Sequence, residues 1–196
     1  MGSVAEAFAE YRRFYVERYV PKMIEDDPEE GMADFVEQAW DEPFQKLKKL
    51  SKADVKALTK KLGPLPEPYV ELLTELGVGP LLCSYEDEPI PFHVLKPTQI
   101  AKAKKDALSW LSAADAKLAL AQGIDPAKLL PFMTDDGRGY YFMLTRRTPD
   151  DDAVVIFDHA YETGHPFRKP KPFVTFVARW IAQAKKGGTL NPYDGI

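Results

Sequence analysis

The chain has 196 residues, 45% of them hydrophobic and 12% aromatic, with three Trp, which makes it a folded domain able to bury a core and excludes disordered and fibrous classes. A net charge of −4 and a pI near 5.5 oppose general nucleic-acid binding, which needs clustered Lys and Arg to neutralise phosphates. Cys83, the single cysteine, leaves no internal disulfide, and neither a secretory leader nor a bilayer-spanning apolar run is visible, so the expectation is a cytoplasmic protein with no membrane and no nucleic-acid partner.

Ser3 and Glu6 form a capping box, after which Val4, Phe8, Tyr11, Tyr15 and Tyr19 recur at helical spacing up to Pro21. An aromatic stripe of this kind reads first as core and second as a partner-binding face. Asp27 caps a second helix with Pro28 in its first turn and Met32, Phe35, Val36 and Trp40 inside, and a short helix carrying Phe44, Leu47 and Leu50 follows Pro43. Ser51 and Asp54 repeat the capping signal ahead of Val55, Leu58 and Leu62, and Gly63-Pro64 closes that helix.

Leu62-Gly63-Pro64-Leu65-Pro66-Glu67-Pro68-Tyr69 turns into a short helix with Tyr69, Leu72, Leu73 and Leu76 inward and Gly77 at its exit. Short strands follow at 81–85 and 90–95, separated by Glu86-Asp87-Glu88, and Pro91 argues that the second is an edge strand. From Thr98, read as a cap, to Gln122, an Ala- and Lys-rich stretch suits two helices broken near Ser112 and stopped by Gly123.

The centre of the sheet is expected between Leu129 and His159. Leu129-Leu130-Pro131-Phe132-Met133 leads into a turn whose Asp136-Gly137 and Gly139 allow positive φ, and Tyr140 to Leu144 leaves it as a strand. After Arg146, Arg147 and an acidic loop, Ala153 to Phe157 is the next strand. Tyr140, Phe142 and Leu144 share one face and Tyr141 and Met143 the other, while Val154 with Ile156 opposes Val155 with Phe157. Strands apolar on both faces must be covered on both, or offer one to a partner. A final amphipathic helix carries Phe173, Phe176, Val177, Trp180 and Ile181.

Chemistry has few bearers here: three histidines and one cysteine. His159 and His165 flank Glu162 near Asp135, Asp136 and Asp158, but the spacing matches no recognised metal-ligand pattern, and Asp-Asp-Gly turns carry acids for backbone geometry. There is no phosphate loop, nucleophile elbow or Cys-x-x-Cys pair. The reading is therefore no enzyme, no metal and no cofactor, with a metal-dependent enzyme as a distant third. Asp150-Asp151-Asp152 reads first as a solvated loop and second as a mimic of phosphates in a nuclease site.

Leu62-Gly-Pro-Leu-Pro-Glu-Pro-Tyr69 with Leu72-Leu73, then Leu130-Pro-Phe132 through Asp-Asp-Gly to Gly139-Tyr-Tyr-Phe142, then Val154 to His159 and Phe173-x-x-Phe176 with Trp180, resemble the SUKH superfamily of Smi1/Knr4-like proteins. Many members are bacterial immunity proteins against polymorphic toxins. Where the family carries an Asn-Gly-Gly-like stretch this chain has Glu75-Leu76-Gly77-Val78-Gly79, and the segment before residue 51 is extra. The resemblance implies an α+β fold, with a mixed, curved, mostly antiparallel sheet backed by helices. It divides the chain into a helical N-terminal extension over 1–50, a SUKH-like domain over 51–186 and a tail over 187–196. It also implies a non-catalytic domain that binds a protein partner, a cognate toxin to be neutralised, or alternatively a Smi1/Knr4-like regulatory adaptor in signalling or cell-wall control. The partner-binding positions expected are Tyr141, Met143, Arg146, Arg147, Asp150, Asp151 and Asp152, which border the central strands beside charge.

Overall fold

The structure, a computed structural model, describes residues 3–14, 46–85, 89–135, 139–148, 150–158, 167 and 169–184, with single positions at 17, 21 and 25. Its strands are β1 (Gly79–Tyr85), β2 (Pro89–Val94), β3 (Leu130–Asp135), β4 (Tyr140–Leu144), β5 (Ala153–Asp158) and β6 (Lys171–Pro172), side by side in chain order as one six-stranded open sheet. Every described pairing is antiparallel, in keeping with the expected mostly antiparallel sheet backed by helices. The long connection from β2 to β3 passes through helices and still returns the chain alongside its neighbour in the opposite direction.

Helices α1 (Val4–Phe14), α2 (Lys52–Leu62), α3 (Glu67–Glu71), α4 (Ile100–Ser109), α5 (Ala113–Ala121) and α6 (Phe173–Ala184) cover this sheet, and α3 runs on into a π-helical turn at Leu72–Leu76. The period-2 alternation decides which face each strand residue serves. Phe142 and Leu144 pair with Ile156 and Val154, and these four join Phe92, Phe132, Leu58, Tyr69 and residues of α1 and α6 in the main core. Phe142 is its centre, with ring centroids 5.5 Å from Phe92, 6.5 Å from Phe132 and 5.5 Å from Phe176. On the opposite face Met143, Val155 and Phe157 pack with Ala107, Ala119, Ile124, Leu129 and Phe167. Both apolar faces are thus covered from within the chain. Helix α4 serves both cores, through Ile100 and Ala103 on one side and Ala107 on the other.

The aromatic stripe of α1 is core. Val4, Phe8 and Tyr11 are buried in the main cluster, and the Ser3–Glu6 capping box is formed, Ser3 N–H donating to Glu6 at 2.8 Å and Glu6 N–H to Ser3 Oγ at 3.1 Å. Glu71 of α3 accepts from Val4 N–H at 3.3 Å and Ala5 N–H at 3.1 Å, so a distant carboxylate meets the first-turn donors that a helix cannot satisfy itself. Tyr15, Tyr19, the Asp27 helix with Trp40, and Phe44 lie outside the described residues.

Three local expectations are corrected. Leu47 to Leu50 is extended: Lys48 and Val78 exchange backbone hydrogen bonds at 2.9 and 3.0 Å, and Leu50 N–H donates to Leu73 at 2.9 Å, so pairing with a distant segment overrides local helix preference. Pro91 sits in an interior strand, which it tolerates because β3 pairs only with Phe92, His93 and Val94, beyond its reach. Helix α4 has Gln99 in place of Thr98 at its cap, with the Gln99 side chain accepting from Lys96 N–H at 2.9 Å. By contrast the capping of α2 by Ser51 and Asp54 is as expected, and the helix break expected near Ser112 falls where the Ser112 side chain caps α5.

Candidate functional site

The β4–β5 corner holds most of the positions the sequence marks for a partner. Met143 is not available to one: it is 0% exposed in the second core, because the α4–α5 side of the molecule covers that face of β4. Tyr141 is half-buried against Phe157, centroids 6.2 Å apart, and burial followed by the nearby charges of Asp106 and Asp135 pushes its hydroxyl pKa up. Asp150 is exposed and Asp152 half-buried, its carbonyl accepting from Phe173 N–H at 3.0 Å to join the loop to α6.

Asp151 folds the loop. Its carboxylate accepts from Arg147 N–H at 2.8 Å, Arg147 Nε at 3.0 Å, Arg147 Nη2 at 3.0 Å, Ala153 N–H at 3.3 Å and the Thr145 hydroxyl. Burial opposes ionisation of this side chain, which is 8% exposed, yet the hydrogen bonds from Arg147, Thr145 and Ala153 prevail and hold its pKa far below the usual carboxylate range. Arg147 and Asp151 therefore spend their charges on each other. Arg146 adopts φ +53° and sends its guanidinium across to Pro64 O at 3.2 Å, fastening the corner to the exit of α2.

That exit borders a feature the sequence does not announce. Helix α2 presents Asp54, Ala57, Leu58 and Lys61 at helical i, i+3, i+4 and i+7 spacing to a groove of about 500 Å³, closed by Lys48, Leu50, Val78 and the turn Lys96-Pro97-Thr98. Leu58 and Val78 are buried in its floor, Leu50 and Pro97 are half-buried in its walls, and Lys48, Lys61 and Lys96 are exposed around it. Asp54 is committed to the cap of α2, accepting from Ser51 N–H at 3.0 Å and Ser51 Oγ at 2.7 Å, and these bonds lower its pKa. Three lysines against one aspartate leave the rim at +2 in a chain of net charge −4. The signal in α2 was present in the 54, 57, 58, 61 spacing. Lys48, Val78 and Lys96 join it only through the fold.

Among the described residues no group of three or more His, Cys, Asp or Glu could hold a metal ion, and no helix is long and apolar enough to cross a membrane. His159 and His165 lie outside those residues, as does the side chain of Cys83, while His93 is half-buried on β2.

An open antiparallel meander backed by helices, carrying an apolar groove with a cationic rim and loop charges that neutralise one another, defines an α+β domain. The model of the SMI1 / KNR4 family (SUKH-1) matches residues 49–179, more than half of the chain, and the chain belongs to that family. No curated protein and no solved structure matches it.

Proposed function

We propose that this protein is a non-catalytic protein-binding domain acting as an immunity protein, which binds a cognate toxin and neutralises it. The carrying observation is SUKH-1 membership over residues 49–179, a family whose members include toxin-neutralising proteins. The groove beside α2 supports the reading, since among the described residues it is a concave apolar surface whose rim carries three lysines against one aspartate. The β4–β5 corner contributes Tyr141 and Asp150 as peripheral contacts, with Arg146, Arg147, Asp151 and Asp152 shaping the loop that presents them.

The test is co-expression with the product of the adjacent gene in a host that this product kills. Rescue of growth, with co-purification of the two chains, is expected. Failure to rescue and failure to co-purify overturn the proposal and favour the adaptor reading, in which a partner is bound with no toxicity to relieve.

A further inference from the structure

Resting on the protein-binding reading, we propose that the groove between α2, Lys48 and the turn at Lys96 is the docking site for an acidic, apolar peptide segment of the partner protein. Two features select this occupant. The groove, with Leu58 and Val78 in its floor and Leu50 in its wall, is apolar and falls in the size range of sites that enclose compact ligands, about 300–1,000 Å³, so it takes a few side chains and not a flat protein face. Around it stand three exposed ammonium groups on three separate segments: Lys48 ahead of α2, Lys61 in its last turn and Lys96 beyond β2.

Among the described residues no ion pair within 4.0 Å engages Lys48, Lys61 or Lys96, although the charge of Lys48 helps to lower the Asp54 pKa, whereas Lys49 lies 4.0 Å from Glu75 and Lys102 lies 2.5 Å from Asp106. The single acid at the groove is consumed by its own helix cap. The +2 rim on a net-acidic protein sets up a local field that draws anionic segments inward. A segment with apolar side chains for the floor and Asp or Glu on both sides matches both the floor and the rim. The groove's rigidity adds to this, because Lys48 and Val78 are locked by paired backbone hydrogen bonds.

The experiment uses the full chain and three synthetic ten-residue peptides: one alternating Leu with Glu, one with Lys for every Glu, and one with Ser for every Leu. Binding is followed by fluorescence anisotropy at low and physiological salt, and located by amide chemical shifts. The Leu/Glu peptide is expected to bind, to weaken as salt rises, and to shift Leu50, Ala57, Val78 and Thr98. The double variant Lys61→Glu, Lys96→Glu is expected to lose about tenfold in affinity while melting like the parent, since both side chains are exposed. Ala57→Asp, which places a carboxylate inside the groove, is expected to abolish binding.

Equal binding of the Lys peptide, retained affinity in the double variant, shifts centred on the exposed Trp110 and Leu120, or tight binding of laurate in place of peptide each overturns the proposal. The two readings fail separately. Groove variants that still rescue a poisoned host refute the docking site and leave the immunity function standing, while groove-dependent peptide binding in a protein that rescues nothing does the reverse.

Discussion

Gly77→Ala is the substitution that most directly tests how the groove is built. Gly77 has φ +115° and ψ −164°, a region open in practice only to glycine. A Cβ placed there would lie 2.4 Å from the carbonyl carbon and oxygen of Lys48 and 2.6 Å from Lys49 N, all backbone atoms that cannot rotate away. The backbone conformation alone costs about 1–3 kcal/mol. Relief of the clash requires residues 48–50 to move off, with loss of the hydrogen bonds Lys48 to Val78, Val78 to Lys48 and Leu50 to Leu73, each contributing about 1 kcal/mol net. Together these give ~4–6 kcal/mol, a large part of the roughly 5–15 kcal/mol that holds a domain together. For a chain of this size the melting temperature should fall by about 10 °C, with a matching drop in urea midpoint. Gly123→Ala is the control, because Gly123 has φ +76° with no atom within 4 Å of the added carbon, and its cost should stay near ~1 kcal/mol. If Gly77→Ala and Gly123→Ala destabilise equally, the close approach of residues 48–49 to Gly77 is wrong, and so is the groove wall drawn from it.

Asp151→Ala should cost ~2–3 kcal/mol through loss of charge-assisted bonds to Arg147, Thr145 and Ala153, measured by urea unfolding. Because the folded-state pKa of Asp151 lies below the unfolded value of about 3.9, its stabilisation is complete above about pH 5 and is lost as pH falls toward the folded value, so the gap between parent and Asp151→Asn should narrow on acidification. Glu71→Ala should free the first turn of α1, seen as faster amide exchange at Val4 and Ala5 and a loss of ~1 kcal/mol, with Glu71→Gln intermediate. Tyr69→Phe should be neutral or slightly stabilising in thermal melts, since the Tyr69 hydroxyl is buried with no hydrogen-bond partner among the described residues; a loss above about 1 kcal/mol would reveal a bond from that hydroxyl.

Periodicity and turn chemistry determined much of this protein. The strands at β3, β4 and β5, the facing of Phe142 against Met143, and the caps at Ser3, Ser51 and Ser112 follow from alternation, apolar spacing and side chains that bond their own backbone, all of which act within a few residues. The tertiary structure decided what depends on distant partners. Leu47 to Leu50 became extended because Val78 and Leu73 offered backbone bonds, Pro91 proved tolerable inside the sheet because β3 falls short of it, and Asp151 turned inward because Arg147 closed on it. Met143 moved from candidate contact to core once α4 and α5 covered its face, and three lysines far apart in sequence met around Leu58 and Val78. Local signals carry no information about which remote segment supplies the last hydrogen bond or the facing wall, because that choice is settled by the burial and satisfaction of the whole chain at once.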